Sequence, residues 1–348
     1  MIDVVDFFCG CGGTSAGLRE AGMSIVAGID FDPEAGRTFE RNFPEACFFE
    51  ADIQTFQYYD LVPLLPRDRT VPLMFAACAP CQPFTKQNTA KKVRDKRKNL
   101  LDELHRFVRA FRPEYILVEN VPGLQKVRKD QGALGRFLKL LRSLSYRIDV
   151  QILRSQDYGV PQSRRRLVMV ASLMGEITIP EPTHGPGRDC PEYEKVWTWI
   201  GDLPPIAAGE KHPDIPNHVA ANLSDLNLKR IDATPEGGGR LDWPEDLKLR
   251  CHQNHGGHTD VYGRLHKDRP AAAMTTRCIS LSNGRFGHPT QARAISVREA
   301  ARLQTFDDDF IFCGTPNETA QQIGNAVPVR LAKVLGDTCM QHSTERLG

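Results

Sequence analysis

The chain has 348 residues, enough to bury a large core and long enough to favour two domains or one domain carrying an insertion. Its 45 basic and 43 acidic side chains nearly cancel, which excludes a global basic field, so any attraction to nucleic acid must be local. No apolar run approaches the ~20 residues of a membrane span, no basic leader precedes the first apolar run, and the ten cysteines read as reduced thiols; a cytoplasmic protein without membrane association is expected.

The first half alternates short apolar runs with helical periodicity. Residues 4–8, 25–30, 46–50, 73–77, 115–119, 147–153 and 167–172 read as strands. Residues 16–21, 33–42, 100–111 and 134–144 repeat apolar side chains at three and four and read as helices. This alternation predicts an α/β fold with a doubly wound, mostly parallel sheet. From 179 to 291 the chain is rich in Pro, Gly and His with few periodic runs, and a smaller, loop-rich domain is expected there. Helical periodicity returns at 297–303 and 327–340, and a closing helix must pack back on the first domain. The expected division is 1–176, then 177–291, with 292–348 returning to the first domain.

Ligands on such sheets gather beyond the carboxyl ends of the strands. Residues 10–13, Asp30, Asp52, Cys81 and Glu119 all fall at such ends, which points to one site. Gly10, Gly12 and Gly13 let the chain turn sharply and bring backbone amides close to a ligand. Their Gly-x-Gly-Gly spacing is not the Gly-x-Gly-x-x-Gly of a pyrophosphate cradle. Asp30 is placed to bind ribose hydroxyls, Phe31 to cover an adenine face, and Asp52, beside Ile53, to accept from an adenine amine. The plainer alternative makes the glycines turn residues and Asp30 a helix cap.

Cys81 lies in Ala79-Pro80-Cys81-Gln82-Pro83-Phe84-Thr85, and Glu119-Asn120-Val121 ends a later apolar run. A thiol and a carboxyl group at the ends of two strands suit attack on an electron-poor ring. The thiolate adds to a ring carbon while the acid hydrogen-bonds a ring nitrogen. Burial at the end of its strand is expected to favour the protonated form of Glu119. Cys78 and Cys81 also form a Cys-x-x-Cys pair, the pattern of disulfide exchangers and zinc knuckles, but no second knuckle exists. Cys251, His252, His255 and His258 are too irregular for a metal site and read as a polar loop, so no metal is expected. Between Lys86 and Lys98, seven of thirteen residues are basic. In an anonymous protein that run is a solvated loop; here it follows the thiol directly and is placed to neutralise phosphates.

Taken together, Phe8-Cys9-Gly10-Cys11-Gly12-Gly13, Pro80-Cys81-Gln82 and Glu119-Asn120-Val121, in this order, resemble the cytosine-5 DNA methyltransferase family in its bacterial or phage form. Gln162-Ser163-Arg164-Arg165-Arg166, Asp260-Val261-Tyr262-Gly263-Arg264-Leu265, Thr275-Thr276-Arg277 and Gly324-Asn325-Ala326-Val327-Pro328 extend the likeness over nearly the whole chain; it is weakest from 179 to 262.

The resemblance implies a Rossmann-like catalytic domain binding S-adenosyl-L-methionine through Phe8, Gly10, Gly12, Gly13, Asp30, Phe31, Asp52, Ile53, Pro80, Leu100 and Asn325. The loop-rich domain would read the target sequence. Cys81 would add to C6 of a flipped-out cytosine and Glu119 would donate toward N3. Arg164 and Arg166 would bind the cytosine carbonyl, orient Glu119 and meet a phosphate, with the assignment between them open. Thr85, Lys86, Lys91, Lys92, Arg94 and Arg97 would hold DNA from the loop after Cys81, and Arg264 and Arg277, with Gln253, Asn254, Asn283 and Arg285, from the recognition domain. The block from Arg298 to Phe306 would be structural.

Double-stranded DNA is the implied partner of a monomeric enzyme. A cognate restriction endonuclease and a solitary enzyme are equally compatible with the sequence. The family has small residues where Cys9, Cys11 and Cys78 stand, which puts extra thiols near the nucleophile and suggests that oxidation links Cys78 or a neighbour to Cys81. Rival readings are a tRNA cytosine methyltransferase of the same fold, a non-catalytic DNA-binding relative and a nicotinamide oxidoreductase.

Overall fold

Continuous apolar runs become the middle of a sheet covered on both faces, because only there can both sides of a strand be buried. In the computed structural model, which describes residues 1–66, 70–79, 100–122, 132–187, 189–249 and 259–347, every residue of the strands Leu73–Ala77 (β4) and Tyr115–Asn120 (β5) is buried. They are joined by Asp3–Phe7 (β1), Ser24–Asp30 (β2), Cys47–Glu50 (β3), Arg147–Arg154 (β6) and Arg165–Ser172 (β8). These form a seven-stranded sheet of order β3-β2-β1-β4-β5-β8-β6. Strands β1 to β5 pair in parallel, and β8 runs antiparallel to both its neighbours. The order reverses between β1 and β4, the point at which such sheets bind ligands.

The chain divides into two units. The first comprises Met1–Arg154, Arg165–Pro182 and Val329–Gly348, and contains this sheet. Its helices are Gly13–Glu20 (α1), Pro33–Asn42 (α2), Leu100–Phe111 (α3), Ala133–Ser143 (α4) and Val329–Leu347 (α9). Helix α2 starts where the sequence chemistry demands: Asp32 accepts from the backbone amides of Glu34 and Ala35, and Pro33 occupies the first turn. The core is aromatic under the functional end of β1, with the Phe7 ring 5.0 Å from both Phe75 and Phe107. Helix α9 closes against α1. A Cβ on Gly17 would collide with the Val329 carbonyl and the Ala332 side chain, so this approach needs glycine.

The second unit comprises Ser155–Arg164 and Thr183–Pro328. Its helices are Val196–Ile200 (α5), Asp225–Asp232 (α6), Val297–Leu303 (α7) and Pro316–Asn325 (α8), and its two short strands, Gln162–Ser163 (β7) and Ala271–Ala272 (β9), pair in parallel. Here buried polar groups stand among the apolar core. Arg293 and Glu299, both almost fully buried, make two parallel bonds of 2.7 Å. Burial opposes the charge on Glu299, but the bonds from Arg293 hold its carboxyl below the ordinary range. Glu299 also closes the capping box of α7 with Ser296. Arg298 is wholly buried and donates to the carbonyls of Pro216, Asp307 and Phe310, so the block expected to be structural is so. The returning segment expected from residue 292 is divided by packing: 292–328 belongs to the second unit and α9 to the first.

Candidate active site

Strands β4 and β5 pair in register through Ala77 and Val118. The next residues along, Cys78 and Glu119, are therefore cross-strand neighbours at the carboxyl ends. Glu119 is 7% exposed. Cys78 Sγ donates to its Oε2 at 3.1 Å, and Arg166 Nε stands 2.7 Å from its Oε1 in an ion pair. Asn120 Nδ2 donates to the Ala79 carbonyl at 3.0 Å, and Asn120 Oδ1 accepts from the Val121 amide at 2.7 Å. These bonds tie the end of β5 to the chain leaving β4, which is the loop-orienting role expected of Asn120. Pro80 and Cys81 lie outside the described residues, as do Thr85, Lys86, Lys91, Lys92, Arg94 and Arg97 of the basic run and Gln253 and Asn254 of the second unit.

Of the two arginines whose roles were left open, Arg166 is the one that meets Glu119. Arg164 is buried in the second unit and donates to the backbone carbonyls of Met274, Gly324 and Ala326 at 2.8 to 3.2 Å. Its guanidinium braces the segment that carries Asn325. The expectation that Arg164 binds the ring or a phosphate is therefore corrected to a scaffold role.

The turn after β1 is built from left-handed backbone: φ is +59° at Phe8, +52° at Gly10 and +94° at Gly12. Gly10 N–H donates to Asp30 Oδ2 at 2.8 Å and Asp32 N–H to Asp30 Oδ1 at 3.0 Å, so Asp30 pins this loop to the end of β2. Capping of α2 falls to Asp32, not Asp30. Burial raises the Asp30 carboxyl above its ordinary value against the pull of the backbone bonds from Asp32 and Gly10. Phe31 is 67% exposed, an unusual setting for a large ring and one suited to stacking on a flat ligand. Asp52 is exposed and steadies its own turn by accepting from the Gln54 amide at 2.9 Å. Ile53 and Leu100 are buried in the same unit, and Gly13 opens α1. A Cβ built on Gly10 would meet nothing within 4 Å, so this face of the loop is open. Asn325 ends α8 in the second unit with an exposed side chain.

Behind the loop, Asp6 is wholly buried and accepts from Ser15 Oγ at 2.7 Å. Burial pushes its carboxyl up to about 7 against that bond. Burial likewise raises Cys9 well above its ordinary value and pushes Cys11 up to about 12, leaving both as inert thiols. The disulfide expected at Cys81 lies outside the described residues. Among the described residues, no group of three or more His, Cys, Asp or Glu side chains is arranged to hold a metal ion, and no helix is long and apolar enough to cross a membrane.

In the second unit, Arg264 is 6% exposed and all three of its guanidinium nitrogens donate to the carbonyls of Ile231, Thr234, His288 and Gln291. It cannot also serve a DNA phosphate, so that expectation is corrected to a structural one. Arg285 is similarly engaged, with Gly237, Gly238 and Asp260. Arg277 is exposed. Sequence reasoning missed the Cys78–Glu119 contact. The apolar runs 73–77 and 115–119 do not give it, because set end to end they pair residue 77 with residue 119, one position out of the observed register.

Comparison with known proteins converges on one family. A family model for C-5 cytosine-specific DNA methylases matches residues 2–341. Over 338 residues the chain is 38% identical to the type II methylase M.HgiDII of Herpetosiphon aurantiacus, covering 95% of this chain and 93% of the relative. It is 32% identical over 343 residues to the type II methyltransferase M1.HphI of Haemophilus parahaemolyticus, covering 98% and 87%. In fold it is similar to an Escherichia coli prophage protein assigned as a DNA modification methyltransferase, with a TM-score of 0.75 at 22% identity over 99% of this chain and 100% of the other.

Proposed function

Because the chain belongs to the C-5 cytosine-specific DNA methylase family, we propose that it methylates a flipped-out cytosine through a covalent adduct on Cys81, with Glu119 as the acid. The family's reaction and methyl donor, transfer from S-adenosyl-L-methionine to C5 of cytosine in DNA, are those of this chain. The observation that carries the residue assignment is the corner where β4 and β5 end. Glu119 is buried there with Arg166 on one oxygen, and Asn120 holds Ala79, two residues before Cys81.

Ring atoms are inaccessible in a stacked duplex, so the target base must leave the helix first. The Cys81 thiolate then adds to C6, and Glu119 hydrogen-bonds N3 and takes up the charge that develops on the ring. Arg166 keeps the carboxyl of Glu119 aimed. Bound S-adenosyl-L-methionine would supply a sulfonium methyl to the enamine-like C5; the C5 proton then passes to water as the C6–S bond breaks and the Cys81 thiolate leaves. Phe8, Gly10, Gly12, Gly13, Asp30, Phe31, Asp52, Ile53, Pro80 and Leu100 form the proposed donor pocket. The basic run with Thr85, Lys86, Lys91, Lys92, Arg94 and Arg97, together with Arg277, forms the proposed DNA contacts.

The enzyme is proposed to act as a cytoplasmic monomer on double-stranded DNA. Both relatives above are type II enzymes, which supports a cognate restriction endonuclease as its functional counterpart. Incubation with tritiated methyl donor and either duplex DNA or tRNA tests the substrate: label should enter DNA, and label in tRNA alone would replace the reading with its RNA rival. Cys81→Ser should abolish turnover while binding the donor with little change, and 5-fluorocytosine at the target should trap a denaturation-resistant complex. Wild-type turnover in Cys81→Ser would remove the nucleophile assignment.

A further inference from the structure

Glu119 receives a second donor that the reaction above does not use. We propose that Cys78 is a positioning residue for Glu119, its thiol holding the Oε2 oxygen so that the acid presents a proton to the ring in one orientation. The proposal rests on the reading of Glu119 as that acid.

Three features place the thiol there. The register of β4 on β5 makes Cys78 and Glu119 cross-strand neighbours, and Sγ lies 3.1 Å from Oε2. The Cys78 backbone is fixed on one side by its amide, which donates to the Phe7 carbonyl at 3.3 Å. On the other side Asn120 holds Ala79. The side chain that reaches Glu119 has one rotatable bond before sulfur, so little freedom is lost in holding it.

The two oxygens of Glu119 are consequently unlike. Oε1 faces the Arg166 guanidinium at 2.7 Å, whose N–H groups occupy that side of the carboxyl and leave no room there for the ring. The proton offered to N3 therefore belongs on Oε2. Cys78 donates to a remaining lone pair of that oxygen, which fixes the direction of its O–H. Arg166 chooses which oxygen carries the proton, and Cys78 aims it.

The test is a double-mutant cycle read by single-turnover methyl transfer to duplex DNA. Cys78→Ala should lower the rate about tenfold, the loss of one hydrogen bond, with donor affinity and KM for DNA unchanged. Cys78→Ser, which keeps an O–H donor in place, should restore most of the rate. In a Glu119→Gln background, Cys78→Ala should add no further loss. A wild-type rate in Cys78→Ala, a serine variant as slow as the alanine, or an equal loss with and without Glu119 would each overturn the proposal. If Cys78→Ala fails to bind the donor in calorimetry, Cys78→Gly takes its place in the cycle. A wild-type rate in Glu119→Gln alone sinks the acid assignment itself, which separates the two failures.

Discussion

Asp6 shows what a single buried carboxyl can impose on the pH behaviour of the enzyme. An unfolded Asp releases its proton near pH 4, whereas burial holds the folded side chain protonated to about 7. Between those values the folded state binds a proton that the unfolded chain has lost, so stability falls as pH rises through the window. Asp6→Asn keeps an acceptor for Ser15 and removes the ionisation. Urea unfolding at pH 5 and pH 8 should show the wild type losing roughly 2.5 kcal/mol across the interval while the variant stays nearly flat. Parallel losses in both proteins would show that the carboxyl is not the titrating group. The sequence placed this residue only within the strand 4–8, and its complete burial becomes visible once that strand is seen to be covered on both faces.

At the scale of elements, the central strands and most first-unit helices could be read from periodicity alone, since near-continuous apolar runs and regular three-and-four spacing leave few alternatives. Helix α8 was overlooked although Thr315-Pro316-Asn317-Glu318 spells its start: Thr315 caps it, Glu318 returns the bond and Pro316 sits in the first turn. The close contact of α1 with α9 was only half legible, as a need for the last helix to return. Its specificity lies in Gly17, whose role is invisible without the opposing backbone. Gly17→Val should destabilise the enzyme by about 1–3 kcal/mol through overpacking, read as a lowered melting temperature with a lowered affinity for the methyl donor. An unchanged melt would mean that α9 can move aside at no cost.

For the whole molecule, near-neutral overall charge means that affinity for DNA depends on where cations are displayed, not on how many there are. Arg264 and Arg277 make the point as a pair. Both were chosen from the sequence for their donor chemistry, yet one is buried among carbonyls and the other exposed. Donor chemistry is a property of the residue, whereas display is a property of the packed chain. Arg277→Ala should leave unfolding free energy within about 0.5 kcal/mol and flatten the slope of log affinity against log salt by about one. Arg264→Ala should do the reverse, costing at least about 3 kcal/mol as several buried carbonyls lose their donor, with the salt slope unchanged. A salt slope altered by Arg264→Ala in protein that is still folded would restore it to the DNA contacts. The acid at the end of β5 and the glycine turn after β1 were legible because both fall at strand ends; what Arg164 and Arg166 each bond was not, because two arginines two residues apart differ only in what lies beside them after folding.

The contact of the last helix with the first also governs how the protein is made. While the ribosome is still adding the second unit, α1 has emerged but its covering partner has not, so the glycine turn after β1 rests on a half-dressed scaffold until Val329–Leu347 appears. A chain clipped before α9 should therefore be a poor methylase and a ready chaperone client.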